Sequence, residues 1–468
     1  MSEPSRPSLE DPVVTAASEV IGGPVGEHAA PHPWWTPVRV VLAVTALVFA
    51  LGMVQKTPCV STNWSDGQVR YAAMCYSDIP YLYTGRGFAE GRLPFSDTHG
   101  RYQGLEYPVV IGYFAYGVAV VTQAVAGGAD LEARRATPVD QVYAAPGVSH
   151  ESGLYFVVTA VLLGAVLLVA AWFMAGAQRG RPWDAMLFAL SPALALAGLI
   201  NWDILAVATV AGAFWAWARG RPVLTGVMIG LGTATKLYPM FLLGALFVVC
   251  LRDRRLRELA VVTASAAGAW LLLNAPPLLF GFAQWKVFWS FNSHRGADLG
   301  SLWLVWQQAG HVVTPETVNL VSWLFFGTVC VAVLVLGLRA RRTPRAAQLA
   351  FLVVAGFLLV NKVYSPQYVL WLLPLAVLAR PRWRDLLVWQ AGEVFYFAAV
   401  WLYLGNFTAS SVSGAPDKLY WYAIFVRVAA ELYFVAMVVR DVLTPERDPV
   451  EEQRSEAPAR PVSPSPVS

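Results

Sequence analysis

Residues 183–252 read WDAMLFALSPALALAGLINWDILAVATVAGAFWAWARGRPVLTGVMIGLGTATKLYPMFLLGALFVVCLR, and four apolar runs within them follow one another almost without pause. Runs 183–200, 203–218, 222–235 and 237–251 are separated alternately by Arg219 with Arg221 and by the uncharged or mixed turns Asn201-Trp202-Asp203 and Thr235-Lys236-Leu237-Tyr238-Pro239. Apolar helices whose connections alternate between arginine clusters and other polar groups are stitched through a bilayer, because arginine-rich loops stay in the cytoplasm.

Composition extends this reading to the whole chain. Of 468 residues, 57% are hydrophobic and 14% charged, against roughly 25% charged in an ordinary soluble protein. A water-soluble globular enzyme is excluded. Mean hydropathy is +0.51, and each bilayer span uses about 20 apolar residues, so about a dozen spans fit. A net charge of +4 is too mild for a nucleic-acid footprint, and no nucleic-acid partner is expected. The four cysteines form no C-x-x-C pair. Cys250 and Cys330 lie in apolar runs, whereas Cys59 and Cys75 flank a polar stretch where a disulfide would form on an oxidising side.

Apolar segments recur at 38–54, 107–126, 153–175, 183–200, 203–218, 222–235, 237–251, 258–274, 316–338, 346–361, 366–379, 385–404 and 419–440. They predict an all-α polytopic membrane protein of about 12–13 transmembrane helices. Residues 1–36 and 444–468, rich in Pro, Ser and Ala, read as disordered cytoplasmic tails around a membrane body at 37–443. The first apolar run follows a long polar leader and reads as a retained anchor. Arg179 with Arg181, Arg219 with Arg221, Arg252 to Arg257, Arg339 to Arg345, Arg380 to Arg384, and Arg440 mark the cytoplasmic loops of a multi-pass plasma-membrane protein. The outward loops are then 201–203, 235–239, 275–315, 361–367 and 405–418. Thirteen crossings with a cytoplasmic N-terminus would put Arg179 and Arg181 outside, against the charge rule. Reading 107–126 as a re-entrant or interfacial helix restores the alternation and leaves 55–106 as a long first extracytoplasmic loop; an outside N-terminus would also restore it.

Chemistry-bearing residues collect in the outward loops. In the first, Tyr81, Tyr83 and Phe88 among Arg86 and Arg92 suit an interfacial helix. Asp66, Asp78 and Asp97 are its candidate general bases, with Glu90 and Glu106 behind them. Asp78 is preferred because Cys75 and Pro80 flank it, although Ser77 or Asp78 ahead of Pro80 also reads as a helix cap. Lys236 and Lys362 stand at two Lys-x-Tyr turns, each followed by proline, where a cation can meet a lipid phosphate or simply snorkel towards headgroups. Arg295 suits phosphate oxygens, and His294 or Asn292 a sugar hydroxyl. The tryptophans around them equally fit an interfacial belt, and Asp203 equally caps its helix. Tyr238, Tyr364 and Gln367 are candidates for orienting a head group or sugar. Glu393 and Glu431 are the main carboxylates deep in apolar runs. No G-x-x-x-x-G-K-[ST], dinucleotide fingerprint, H-E-x-x-H or Asp-x-Asp sequence is present.

Six stretches, MCYSDIPYLYTGRG, EYPVVIGYF, SPALALAGLINWDILAVA, ATKLYPMFLL, NSHRGADLGSLW and NKVYSPQYVLWLLPL, together resemble the GT-C class of polytopic glycosyltransferases. Within that class the chain is similar to glycosyltransferase family 87, the polyprenol-phosphate-mannose-dependent mannosyltransferases common in actinobacteria. The resemblance implies an inverting hexosyl transfer, of mannose, from a polyprenyl-phosphate donor to a lipid or glycan acceptor at the extracytoplasmic face. It implies one carboxylate of the first external loop as general base and neither metal nor cofactor. Asp78 best fits that role and Asp66 competes with it; Lys236, Arg295 and Lys362 would neutralise the departing phosphate. The rival expectation, a polytopic transporter or lipid flippase, predicts internal repeats, of which Lys362-Val363-Tyr364-Ser365-Pro366 is only a partial echo of Lys236-Leu237-Tyr238-Pro239.

Overall fold

A computed structural model describes residues 34–96, 100–178, 180–408 and 417–451; Asp97, Arg179, residues 409–416 of the 405–418 loop and the outer parts of both tails lie outside it. Its regular elements among the described residues are all helical. Apart from short helices of four to six residues and 3-10 turns, they are in order α1 (Pro37–Ser61), α2 (Ile79–Gly85), α3 (Val109–Val125), α4 (Val148–Ala177), α5 (Asp203–Trp217), α6 (Pro222–Thr235), α7 (Leu242–Arg252), α8 (Leu256–Phe280), α9 (Phe282–His294), α10 (Leu302–Gln308), α11 (Pro315–Arg339), α12 (Ala346–Val360), α13 (Val369–Ala379), α14 (Trp383–Leu404) and α15 (Lys418–Leu443). Long segments connect α1 to α5 and short ones connect α5 to α14, and Thr36, Ser301, Thr314 and Asp417 cap their helices with side-chain oxygens that satisfy first-turn amides.

Length and burial sort these helices into layers. The short α12 and α13 form the centre: every residue of α13 is buried, and so is most of α12. The long α8 and α11 are peripheral, with only 17% of their apolar windows buried. Leu272, Leu279 and Phe280 of α8 face outward, as lipid-facing helices require. Gly226 and Gly230 bring α6 onto α8 so closely that a Cβ on either would stand 2.2 or 2.3 Å from a carbonyl of Val262 or Ala266, the small-residue contact that replaces hydrophobic drive inside lipid.

The arginine clusters share one end. Arg219 Nη1 donates to Gly176 O, Gln178 Nε2 to Leu378 O, Arg252 Nη1 to Gly337 O and Thr343 Oγ1 to Asp253 Oδ1. Arg380 pairs with Asp385 and Asp441, joining the ends of α13, α14 and α15. The chain nevertheless enters α3 and leaves it at the opposite end: Tyr107, just before it, bonds Asp78, while Gln123, in its last turn, donates to Phe88 O at 2.9 Å. Both ends of the helix at 109–125 therefore lie against the 78–90 segment, an arrangement that fits an interfacial course for 107–126. Among the described residues six helices are long and apolar enough to cross a membrane, and five shorter apolar helices besides α3, with the broken 183–200 run, complete the bundle.

Two expectations need correction. The 183–200 run is no continuous helix: Pro192 ends it at Ser191, leaving Ala185–Ala189 and Pro192–Ala197. Gln390 Oε1 takes hydrogen bonds from Ser191 Oγ and Ala193 N at 2.6 and 3.1 Å, which satisfies polar groups at the break. The C-terminal tail does not begin at 444, because Asp448 is buried, pairs with Arg345 at 2.9 Å and accepts from Gln348 at 3.1 Å. Residues 444–451 thus belong to the body.

In protein lacking Cys250 and Cys330, Gln103→Cys and Glu132→Cys should react with a membrane-impermeant thiol reagent from one side, and Arg342→Cys from the other. Labelling of positions 103 and 132 from opposite sides would make α3 a crossing.

Candidate functional site

The segment carrying Asp78 is tied down before its carboxylate makes any contact. Cys59 of α1 is disulfide-bonded to Cys75, with 5.8 Å between Cα atoms. Gln55 Nε2 donates to Ala73 O and Met74 O, and the buried Lys56 Nζ donates to Tyr76 O at 3.0 Å. From the other side, Ser77 Oγ and Asp78 N both donate to Ile200 O, at 3.2 and 2.7 Å. Asp78 makes no side-chain cap to α2; of the two capping candidates it is Ser77 whose Oγ accepts from Ile79 N, at 3.3 Å, which leaves the Asp78 carboxylate free of that role. Its Oδ1 accepts from Tyr76 OH at 2.8 Å and its Oδ2 from Tyr107 OH at 3.1 Å. Burial raises the Asp78 carboxyl above its ordinary pKa, and the two phenol hydrogen bonds with nearby Lys236 offset only part of that rise.

Lys236 lies beside this carboxylate. Its Nζ is 2.9 Å from Asp203 Oδ1, 4.8 Å from the Tyr107 ring centroid and 5.9 Å from that of Trp371. Asp203 is fully buried and the lysine side chain nearly so, so Lys236 does not snorkel. Asp203 is an ion-pair partner binding the start of α5 to the end of α6, with Trp202 in the cap position.

The third wall is built from two backbone segments paired by Asp298 N to Lys362 O at 2.8 Å and Tyr364 N to Leu299 O at 2.7 Å. Arg295 is held by Asp298 at 2.6 Å. Lys362 Nζ donates to Asn292 O and to Asn319 Oδ1, and carries no carboxylate partner among the described residues. Burial, with Arg295 nearby, lowers its pKa.

These walls enclose a cavity of about 770 Å³ whose lining includes Asp78, Lys236, Asn292, Arg295, Lys362 and Gln367. A second cavity of about 440 Å³, almost wholly apolar, shares Tyr107, Leu237, Phe288 and Trp289 with it and runs between α6 and α8. Four candidates are placed elsewhere. Asp66 is exposed and its Oδ1 accepts from Gln68 N and Val69 N at 2.8 and 3.1 Å, bonds that lower its pKa and use it as a turn cap. His294 is exposed, with Nδ1 2.7 Å from Ser290 O of its own helix. Tyr238 is buried against Trp371 at 4.7 Å, and Tyr364 is buried with its OH donating to Glu393 at 2.9 Å; neither lines the cavity. Sequence reading missed Tyr76, Tyr107 and Asn319. The tyrosines stood in two of the quoted stretches, whereas Asn319 lies unmarked in an apolar helix.

Residues 150–366 match the model of glycosyltransferase family 87. That range contains Lys236, Arg295 and Lys362, and Asp78 lies before it. No curated protein matches the chain. Because Lys236→Met would leave Asp203 buried without its cation, it should lower thermal stability of the detergent-solubilised protein by about 3–5 kcal/mol. Lys236→Met with Asp203→Asn should recover part of that loss; equal losses in both proteins would exclude the coupling.

Proposed function

As an integral membrane glycosyltransferase, an assignment its family 87 match supports, the chain needs a sugar donor and an acceptor at one site, and we propose that the 770 Å³ cavity is that site. The donor is a polyprenyl-phosphate sugar, with mannose the sugar suggested by the resemblance, and the acceptor is a lipid or glycan hydroxyl. The site faces the extracytoplasmic side of the plasma membrane. The observation that carries the reading is one cavity lined by the half-buried Asp78, by Glu106 and by three cations, beside an apolar cavity between helices.

Asp78 is the general base. Its raised pKa makes it a stronger base than an exposed aspartate, and the phenols of Tyr76 and Tyr107 hold it in place. It takes the proton of the acceptor hydroxyl as that oxygen attacks the anomeric carbon. The bond from that carbon to the phosphate oxygen breaks, and its electron pair leaves with the polyprenyl phosphate, inverting the configuration. Growing charge on the phosphate is met by Lys362 and Arg295. Lys362 is the stronger candidate, since Lys236 and Arg295 are each already opposed by an aspartate. The prenyl chain lies in the apolar cavity, where Trp270, Leu271 and Trp285 replace lipid contacts.

Purified protein in liposomes given polyprenyl-phosphate mannose and a mannoside acceptor should form a new glycosidic bond. Asp78→Asn should lower kcat about 10²–10⁴-fold with thermal stability equal or higher, because a half-buried charge is removed while a phenol-bonded oxygen remains. Undiminished turnover would reject Asp78. A carboxyl whose folded pKa is raised must lose its proton at higher pH, so kcat/KM should fall on acidification with an apparent pKa above the usual value of about 4. Donor movement across the liposome without a new bond would favour a transporter.

A further inference from the structure

Besides its cations, the cavity has an aromatic wall. Tyr71, Tyr76, Tyr81 and Trp401 all line it. Tyr71 and Tyr76 are nearly parallel, 11° apart with centroids at 6.2 Å; Tyr76 and Tyr81 are 22° apart at 5.8 Å, and Tyr71 and Trp401 24° apart at 6.3 Å. Such a run of rings exceeds what a packing core requires at this point, because the three tyrosines are only partly buried. Three polar groups of residues on the same cavity have no partner among the described residues, Trp371 Nε1, which belongs to a ring stacked on Tyr238, and two others. Trp401 is 3% exposed and its Nε1 makes no hydrogen bond, and the Oε1 of Gln367, 6% exposed, accepts none. Leaving a buried N–H or C=O unpaired is costly, so such groups mark where a ligand supplies the missing bonds.

We infer that this wall is a pyranose subsite for the acceptor, a reading that rests on the proposed transfer. A pyranose has an apolar face of C–H groups suited to aromatic rings and a rim of hydroxyls able to accept from an indole N–H and donate to an amide oxygen. The wall ends at the base, because the Tyr76 ring belongs to it and the Tyr76 hydroxyl bonds Asp78. Acceptor sugar and donor phosphate therefore use different side chains of one cavity, with the acceptor's wall reaching Asp78. The acceptor is thus a glycan end presenting a sugar ring, not a bare lipid alcohol.

Saturation-transfer NMR on the detergent-solubilised protein, with methyl α-mannopyranoside and methyl α-glucopyranoside as probes, should show transfer to the ring C–H protons of at least one glycoside. Tyr71→Leu and Trp401→Leu should abolish it and Lys362→Met should not; no transfer in the wild-type protein, or equal transfer in all variants, overturns the subsite. In the glycosyl-transfer assay, Tyr71→Leu, on a partly exposed side chain, should raise the acceptor KM about 5- to 10-fold and leave the KM for polyprenyl-phosphate mannose unchanged. Trp401→Phe keeps one aromatic ring, removes the pyrrole ring with its N–H and should act in the same direction. A rise in the donor KM alone would assign the wall to the donor's own sugar and overturn the acceptor reading. Glycoside contact at the wall without glycosyl transfer by the wild-type protein would uphold the sugar subsite and defeat the transferase reading.

Discussion

The ion pair of Lys236 and Asp203 is the constraint on which the site depends. Two opposite charges are removed from water where α5 begins and α6 ends, and neither can be withdrawn without stranding the other. The pair brings Lys236 over the Tyr107 ring, and Tyr107 in turn bonds Asp78. Geometry at the carboxylate is thus inherited from helix ends that are far from it in sequence. The same arrangement sets the electrostatics: a cation stands close enough to temper the ionisation cost of Asp78 but is paired with Asp203, and Lys362 is the lysine on this cavity without a carboxylate partner among the described residues.

A second buried network supports the cationic wall from below. Arg427 of α15 pairs with Glu431 at 3.0 Å and lies 3.7 Å over the Tyr364 ring, while Tyr364 donates to Glu393. Tyr420 OH receives Gly300 N at 2.7 Å, and Tyr396 OH donates to Tyr364 O at 2.6 Å. These contacts hold the Leu299–Gly300 and Lys362–Tyr364 segments against the bundle, so the two carboxylates in apolar helices serve packing of a loop junction. Their depth in lipid is tolerable because every one of them faces a neighbour inside the protein.

Much of this was readable from residue order. Arginine spacing gave the alternation of ends, the parity conflict pointed to 107–126, and the position of Asp78 between Cys75 and Pro80 marked it out from Asp66. What was not readable came from long-range packing. Nothing near Lys236 in the chain names Asp203 as its partner, since the pair forms only when α5 and α6 fold back on each other. Tyr238 and Tyr364 resemble site residues by their neighbours, yet each is turned into the core by a ring or carboxylate from another helix. Asn319 sits in a run whose sequence shows only hydrophobicity, and its function is set by Lys362 reaching it from α12's end. The break at Ser191 was encoded by Pro192, but the side chain that satisfies it, Gln390, is supplied by α14.

Because both ends of α3 lie against the 78–90 segment, its interfacial course occupies area at one end of the molecule. Its exposed Val120, Val121 and Val125 put that area in contact with acyl chains. The end of the molecule that holds the cavity therefore carries apolar surface of its own, on the helix that directly follows Tyr107, the partner of Asp78.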